Sequence, residues 1–261
     1  MNRGLAYGDG VFRTLAVRRG AGPEHWWRQY AKLAFDCGVL GIACPDEAVL
    51  EREVRSACDP DAECSVKIII TRGEGERGYR YQPAAEPTRI VASALATRYP
   101  DAYQERGVTA RLCQLKLAHQ PALAGVKHLN RLENVLARAE WSDADIAEGI
   151  LCDGAGNVIG GTMTNLFMVL GDTLVTPKLD RCGVAGVTRD RVMAIAARED
   201  VKCVVRPVPV RELFAAHEIF LVNSLIGAWP VRSMEDRNWS PGALTRLLQR
   251  RLMRENDAQV V

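Results

Sequence analysis

No apolar run in the chain approaches the length of a membrane-spanning helix. Nor is there an excess of charge of one sign: 34 basic and 32 acidic residues are mixed along the sequence, for a net charge of +2. A nucleic-acid or membrane footprint is therefore not indicated, and a small-molecule ligand fits better. CxxC pairs are missing too. The eight cysteines, at 37, 44, 58, 64, 113, 152, 182 and 203, do not cluster with the four histidines, so zinc ligation is unsupported and no metal is expected. No secretory signal precedes the cysteines, and a chain of 261 residues has no need of disulfide staples. They read as reduced thiols of a cytoplasmic protein. Internal repeats and low-complexity segments are also absent. What remains is an ordinary globular composition, 48% hydrophobic and 25% charged, enough for one large core or two modest ones.

Along the chain, a Gly-Asp-Gly turn at 8–10 leads into a strand with Leu15 and Val17 on one face. Pro23 and Glu24 open a helix over His25 to Cys37, closed by Gly38, and a second helix follows with Asp46 as its N-cap. Ser65 to Thr71 is β-branched and reads as a buried strand, paired with Arg89 to Leu95 across the basic, glycine-rich loop RGEGERGYRYQPAAEP. By composition that loop is simply flexible. The pattern changes around Tyr99 to Gln104, which places a domain boundary there: a small α+β domain over 1–100 and a larger α/β domain over 104–261. In the second domain, Leu166 to Leu170 and Thr173 to Thr176 read as a hairpin turned at Gly171-Asp172. GVAGVTRDRVMAIAARE reads as a glycine turn feeding a helix, a common anion-binding arrangement. Lys202 to Val208 and Glu218 to Val222 are further strands, and a final helix over Pro241 to Arg254 lines up Leu244, Leu247, Leu248 and Leu252.

The stretch GVKHLNRLENVLARAE, residues 125–140, sets Lys127 just ahead of an amphipathic pattern. Leu132, Val135, Leu136 and Ala139 recur at i, i+3, i+4, i+7, which predicts a helix with that face buried. A lysine fixed at the rim of a packed helix is partly desolvated and carries more neutral amine than a surface lysine, as Schiff-base chemistry requires. Local pattern alone reads Lys127 as a solvated surface residue. It likewise reads Arg28, in His25-Trp26-Trp27-Arg28, as a solvated helix residue.

The run Lys127-His128-Leu129-Asn130-Arg131-Leu132-Glu133 resembles the cofactor-lysine segment of the fold-type-IV pyridoxal-phosphate enzymes and, within them, that of the aminodeoxychorismate lyases. The GDG segment resembles the start of the same enzymes, which carry one more strand upstream that this sequence lacks. Arg13 stands where many of them have an acidic residue or threonine. The resemblance implies pyridoxal 5'-phosphate as cofactor, Lys127 as the catalytic and cofactor lysine, and a phosphate cradle of Arg28, Val187, Thr188 and Ser224. It implies substrate contacts from Arg77 and Tyr79 of the RGEGERGY loop and from the Leu225 and Ile226 amides of NSLIGAWPV. It also implies a homodimer, for which Trp26, Trp27 and the 72–82 loop are candidate surfaces. The implied reaction converts 4-amino-4-deoxychorismate to 4-aminobenzoate and pyruvate in folate biosynthesis.

One position departs from the family pattern. Fold-type-IV enzymes carry a glutamate for the cofactor's pyridine nitrogen five residues before the Asn of an N-[LVI]-F strand, and counting back from Asn165 reaches Gly160. Without that carboxylate the ring is a poorer electron sink. An aminotransferase depends on the sink in both half-reactions, whereas a lyase whose product becomes aromatic depends on it less. A D-amino-acid or branched-chain aminotransferase of the same fold stands second, and a non-catalytic cofactor- or metabolite-binding relative third.

Overall fold

A computed structural model describes residues 1–82 and 85–257. The chain divides into two compact units, one formed by residues 1–98 with 126–130 and the chain's end from 256, the other by 99–125 and 131–255.

The first unit contains α1 (Arg3–Tyr7), β1 (Gly10–Arg18), β2 (Gly22–Pro23), α2 (Trp26–Val39), α3 (Glu47–Ser56), β3 (Cys64–Thr71) and β4 (Thr88–Leu95). Its sheet has the order β2-β1-β3-β4, antiparallel throughout. Alternation along β1 and β3 turns Leu15, Val17, Val66, Ile68 and Ile70 to one side, where Leu33 of α2 and Leu50 of α3 complete a core. Asp46 caps α3 as the sequence predicts, its carboxylate accepting from Val49 N at 3.1 Å. α2 begins later than its pattern suggests and runs past Gly38. His25 stands at φ 51°, a left-handed backbone, so the first helical residue is Trp26.

The second unit begins with α4 (Asp101–Glu105), β5 (Val108–Leu117), α5 (Leu132–Arg138), β6 (Ile146–Asp153) and β7 (Val158–Gly161). It continues with β8 (Asn165–Leu170), β9 (Thr173–Pro177), α6 (Val187–Arg198), β10 (Cys203–Arg206), α7 (Val210–Phe214), β11 (Glu218–Asn223), β12 (Gly227–Met234), β13 (Arg237–Asn238) and α8 (Ala243–Asp257). These strands form one curled mixed sheet in the order β10-β9-β8-β11-β12-β5-β6-β7, with β13 added on β12. One face buries Ile150, Leu166, Leu221 and Trp229; the other carries Phe167 and Phe220, stacked at 5.2 Å, against Ile195 of α6 and Leu248 of α8. No helix among the described residues is long and apolar enough to cross a membrane.

Two sequence expectations are corrected here. α5 does not bury its apolar stripe: Leu132, Val135 and Leu136 are 74%, 59% and 60% exposed, Ala139 is exposed as well, and only Ala137 of the helix is buried. Lys127 therefore owes its placement to something other than helix packing. Residues 126–130 belong to the first unit and not to the larger C-terminal one. The reason is backbone pairing: Phe12 N donates to Lys127 O, and Leu129 N to Gly10 O, both at 2.9 Å, laying the lysine segment against β1.

Candidate functional site

In the first unit the lysine segment is pinned from both sides. β1 holds its backbone, and Asp36 of α2, wholly buried, accepts from Lys127 N at 3.3 Å. The same carboxylate takes Arg13 Nη1 at 3.3 Å and Lys32 Nζ. Arg13 points to the core side of β1 and is 3% exposed, so it belongs to this buried charge cluster and makes no surface for a substrate. A buried carboxylate is tolerated because cations and an amide share its charge. Lys127 itself is half-buried, with Nζ 4.7 Å from the centre of the Phe12 ring. An ammonium is attracted by that ring face and loses water to it.

The Gly-Asp-Gly turn has a structural task. Asp9 accepts from Arg3 Nε at 2.9 Å and Arg72 Nε at 2.8 Å. Arg3 then reaches the carbonyls of Gly78, Tyr79 and Arg80, while Arg72 holds those of Leu40 and Gly41 and lies over the Tyr81 ring. Tyr7 Oη accepts from Gly78 N at 2.9 Å. The 72–82 loop is thus fastened through its backbone, while Arg77 is exposed and Tyr79 is 85% exposed against Tyr7. A loop described by its composition as flexible is in fact anchored at three consecutive carbonyls. Arg28 is half-buried with its guanidinium over Trp27, 4.3 Å from the ring centre. Its partner in the H-x-x-R motif, His25, precedes the helix and bonds Asn256 at 2.7 Å through Nε2. Trp26 packs onto the core of this unit and Trp27 is 59% exposed, so only the second of the pair offers itself as a surface.

In the second unit the residues expected at the phosphate sit on two turns. Gly186 precedes α6 and provides no side-chain cap; Val187 and Thr188, both buried, begin the helix. The first amides of a 12-residue helix with no capping side chain are an anion's natural partners. Asn165 shapes this turn with both ends of its amide, Nδ2 donating to Val184 O at 2.7 Å and Oδ1 accepting from Gly186 N at 3.0 Å. A Cβ at residue 186 would come within 2.4 Å of Asn165 Oδ1, so glycine is needed there. Arg189, buried, ties the first turn of α6 to the sheet through Thr176 Oγ1 at 3.2 Å and Pro177 O at 3.1 Å, and burial lowers its pKa.

Ser224 lies on the other turn, between β11 and β12. Here Asn223 Oδ1 accepts from Leu225 N at 2.8 Å and Ile226 N at 3.0 Å. The two amides expected to face a substrate carboxylate are therefore already engaged by a side chain, and the Ile226 side chain is buried in the core. Asn223 Nδ2 also donates to Met163 O at 3.3 Å. The 184–188 and 223–226 turns are in this way joined to a single stretch, 161–165, by two asparagines. In the sequence Asn165 serves only to place the family glutamate, and Asn223 has no role of its own in NSLIGAWPV. The signal for both was present, an Asn at one terminus of an apolar strand beside a turn.

The position of Gly160 was legible, its surroundings were not. A Cβ at 160 would approach Thr164 O at 2.8 Å, and one at 161 would approach Glu148 Oε2 at 2.6 Å. Successive strand residues face opposite sides, so the buried Glu148 lies on the side away from residue 160 and does not replace the missing carboxylate.

In the second unit a helix N-terminus offers its first amides to an anion, and in the first unit a lysine is laid along a strand. The family model of amino-transferase class IV matches residues 10–234, and the chain belongs to this family. Among its relatives, an aminodeoxychorismate lyase of Vibrio harveyi is 35% identical over 95% of this chain and 93% of its own length. The crystal structure of 4-amino-4-deoxychorismate lyase from Pseudomonas aeruginosa superposes with a TM-score of 0.91 at 46% identity, covering 98% of this chain and 94% of that one. A putative branched-chain-amino-acid aminotransferase of Methanocaldococcus jannaschii is 28% identical over 95% of this chain and 87% of its own. The fold is that of the fold-type-IV enzymes.

Proposed function

We propose that the protein is a pyridoxal-phosphate-dependent lyase that converts 4-amino-4-deoxychorismate to 4-aminobenzoate and pyruvate, supplying 4-aminobenzoate for folate synthesis. The chemistry of the donors in each unit suits the cofactor. Lys127 Nζ would hold its aldehyde carbon, and the α6 amides at Val187 and Thr188, the Thr188 and Ser224 hydroxyls and the Arg28 guanidinium would hold its phosphate. Bound pyridoxal phosphate supplies an electron-withdrawing ring that stabilises negative charge on the carbon next to the substrate amine. The tasks of the chain itself are positioning and proton transfer. Lys127 Nζ would remove the proton from substrate C4 and return one toward the departing pyruvate. Phe12 and Asp36 hold the lysine segment for both roles. Arg77 and Tyr79 of the exposed loop would meet a substrate carboxylate.

The observation favouring a lyase over an aminotransferase is Gly160. With no carboxylate at 160, and with Glu148 on the opposite side of the strand, this chain offers little support to a protonated pyridine. Ring aromatisation drives the elimination; amino transfer has no such drive. The active form is proposed to be a cytoplasmic homodimer, with Trp27 in the first unit and the exposed α5 stripe in the second as separate apolar surfaces a second copy would cover. The test is release of 4-aminobenzoate by the purified protein supplied with pyridoxal phosphate and aminodeoxychorismate, compared with Lys127→Ala. Loss of about a thousandfold or more in rate is expected for the variant, equivalent to ~4 kcal/mol of barrier. Full activity in Lys127→Ala would remove this lysine from the chemistry.

A further inference from the structure

Glu148 of β6 is wholly buried, and the proposed reaction gives it no role. Its carboxylate meets five donors. Oε1 accepts from Gly149 N at 2.9 Å, Thr162 N at 3.0 Å and Thr162 Oγ1 at 2.5 Å. Oε2 accepts from Met163 N at 3.1 Å and Thr164 Oγ1 at 2.9 Å. The carbonyls of the same turn are occupied as well: Thr162 O by Asn134 Nδ2 at 2.9 Å, Met163 O by Asn223 Nδ2, and Thr164 O by Gly161 N at 2.8 Å. Burial pushes the Glu148 carboxyl above the usual range, while the hydroxyl and amide donors pull it down. Packing alone does not explain such a residue. An apolar side chain would fill the space without the cost of burying a charge, but it would take this acceptor from the amides of Gly149 and Met163 and from the Thr162 and Thr164 hydroxyls, leaving Thr162 N only its bond to Gly149 O at 3.0 Å.

We propose that Glu148 is a positioning residue: it shapes the 161–164 turn from within the sheet and, through the Met163 carbonyl and Asn223, sets the 223–226 turn that presents Ser224 to the cofactor phosphate. The proposal rests on the cofactor reading above for the identity of the ligand, and on the hydrogen bonds of the second unit for the rest. The path is continuous. Glu148 fixes Met163 N, the Met163 carbonyl takes Asn223 Nδ2, and Asn223 Oδ1 takes the consecutive amides of Leu225 and Ile226. Asn165, the residue after the turn, carries the same constraint to Gly186 ahead of α6. The carboxylate cannot be exchanged for its amide without loss. Glutamine would aim an N–H₂ at one of the two donor sets, and repulsion there opens the turn.

A positioning role at the phosphate separates two ligands that differ only in that group. Pyridoxal 5'-phosphate and pyridoxal would each be titrated into wild type, Glu148→Gln and the milder Thr162→Val, following absorbance, with thermal melting recorded in parallel. For Glu148→Gln, phosphate-ester binding should weaken tenfold or more, while pyridoxal binding changes less than about twofold; Thr162→Val should shift the same ratio about threefold. Variants that melt earlier yet keep the wild-type ratio of the two affinities would make Glu148 purely structural and overturn the proposal. Should Glu148→Gln fail to fold, Thr162→Val decides the matter by the same ratio. A wild-type protein that binds neither ligand would overturn the cofactor reading and this role together. Wild-type binding with an unshifted variant ratio overturns the role alone.

Discussion

The 72–82 loop of the first unit and the 161–164 turn of the second are both glycine-containing connections next to strands, and both carry residues tied to the proposed site. They are held in opposite ways. The 72–82 loop is gripped by Arg3, which is held on Asp9 and takes the carbonyls of Gly78, Tyr79 and Arg80, while Arg72 on the same carboxylate ties the loop's start to Leu40 and Gly41; Arg77 and Tyr79 are left outward. In the 161–164 turn the loop's own amides and hydroxyls point inward to Glu148, and outward it offers the Met163 side chain and the path of the backbone. The first arrangement suits recognition, since Arg77 or Tyr79 can change without altering the loop's shape. The second suits scaffolding, since any change propagates to the segments bonded to it.

Breaking the turn should have the largest effect. Gly161→Ala brings a methyl within 2.1 Å of Thr164 Oγ1 and 2.6 Å of Glu148 Oε2. Rotating Thr164 away relieves the clash only by giving up its hydrogen bond to the carboxylate. A loss of ~2–3 kcal/mol in stability is expected, measurable by urea unfolding. A variant within ~0.5 kcal/mol of wild type would show that the turn is looser than its hydrogen bonds imply.

Loosening the loop should cost less. Burial pushes the Asp9 carboxyl up, but hydrogen bonds and charge from Arg72 and Arg3 outweigh it and hold the group below its ordinary value of 3.8. A carboxyl whose folded pKa is depressed stabilises the fold fully above the unfolded value, and this is lost as pH falls through the folded one. Melting temperature should therefore drop below about pH 4 as the two arginines lose their anchor. Asp9→Asn should remove ~1.5 kcal/mol at neutral pH and flatten that part of the acid limb. An acid limb unchanged by the substitution would mean the loop is held without Asp9.

Arg77→Ala sharpens the contrast with the smallest structural cost. Because its side chain is exposed and the loop backbone is fastened elsewhere, stability should stay within ~0.5 kcal/mol of wild type. KM for aminodeoxychorismate should rise about tenfold with kcat little changed, the signature of lost uniform binding. A large fall in kcat with KM unchanged would place Arg77 in the chemical step instead.

Much of the fold was legible. A β-branched run marks β3, apolar runs on either side of a Gly-Asp turn mark β8 and β9, and an aspartate before a helical pattern marks the cap of α3. The α5 stripe misled because amphipathic spacing reports that a face is apolar without reporting what covers it. Leu132, Val135 and Leu136 have the period of a buried face and stand exposed. The motif singles out Lys127, but the strand pairing with Phe12 and the buried Asp36 that place it are contacts far apart in sequence, invisible to a window reading. Glu148 escaped for the same reason: a lone glutamate between apolar residues gives no hint of five donors arriving from the residue beside it and from a turn 14 to 16 residues further on.

The central claim, a lyase whose ring support at residue 160 is missing, is tested most directly by competition in one vessel. The protein, loaded with pyridoxal phosphate, would be given aminodeoxychorismate together with a branched-chain amino acid and 2-oxoglutarate. Both 4-aminobenzoate with pyruvate and glutamate formation would be followed over time. The account predicts 4-aminobenzoate and pyruvate in equal amounts, with glutamate formed at least about a hundredfold more slowly, a barrier difference of ~2.7 kcal/mol. Rapid glutamate formation with no 4-aminobenzoate would contradict it.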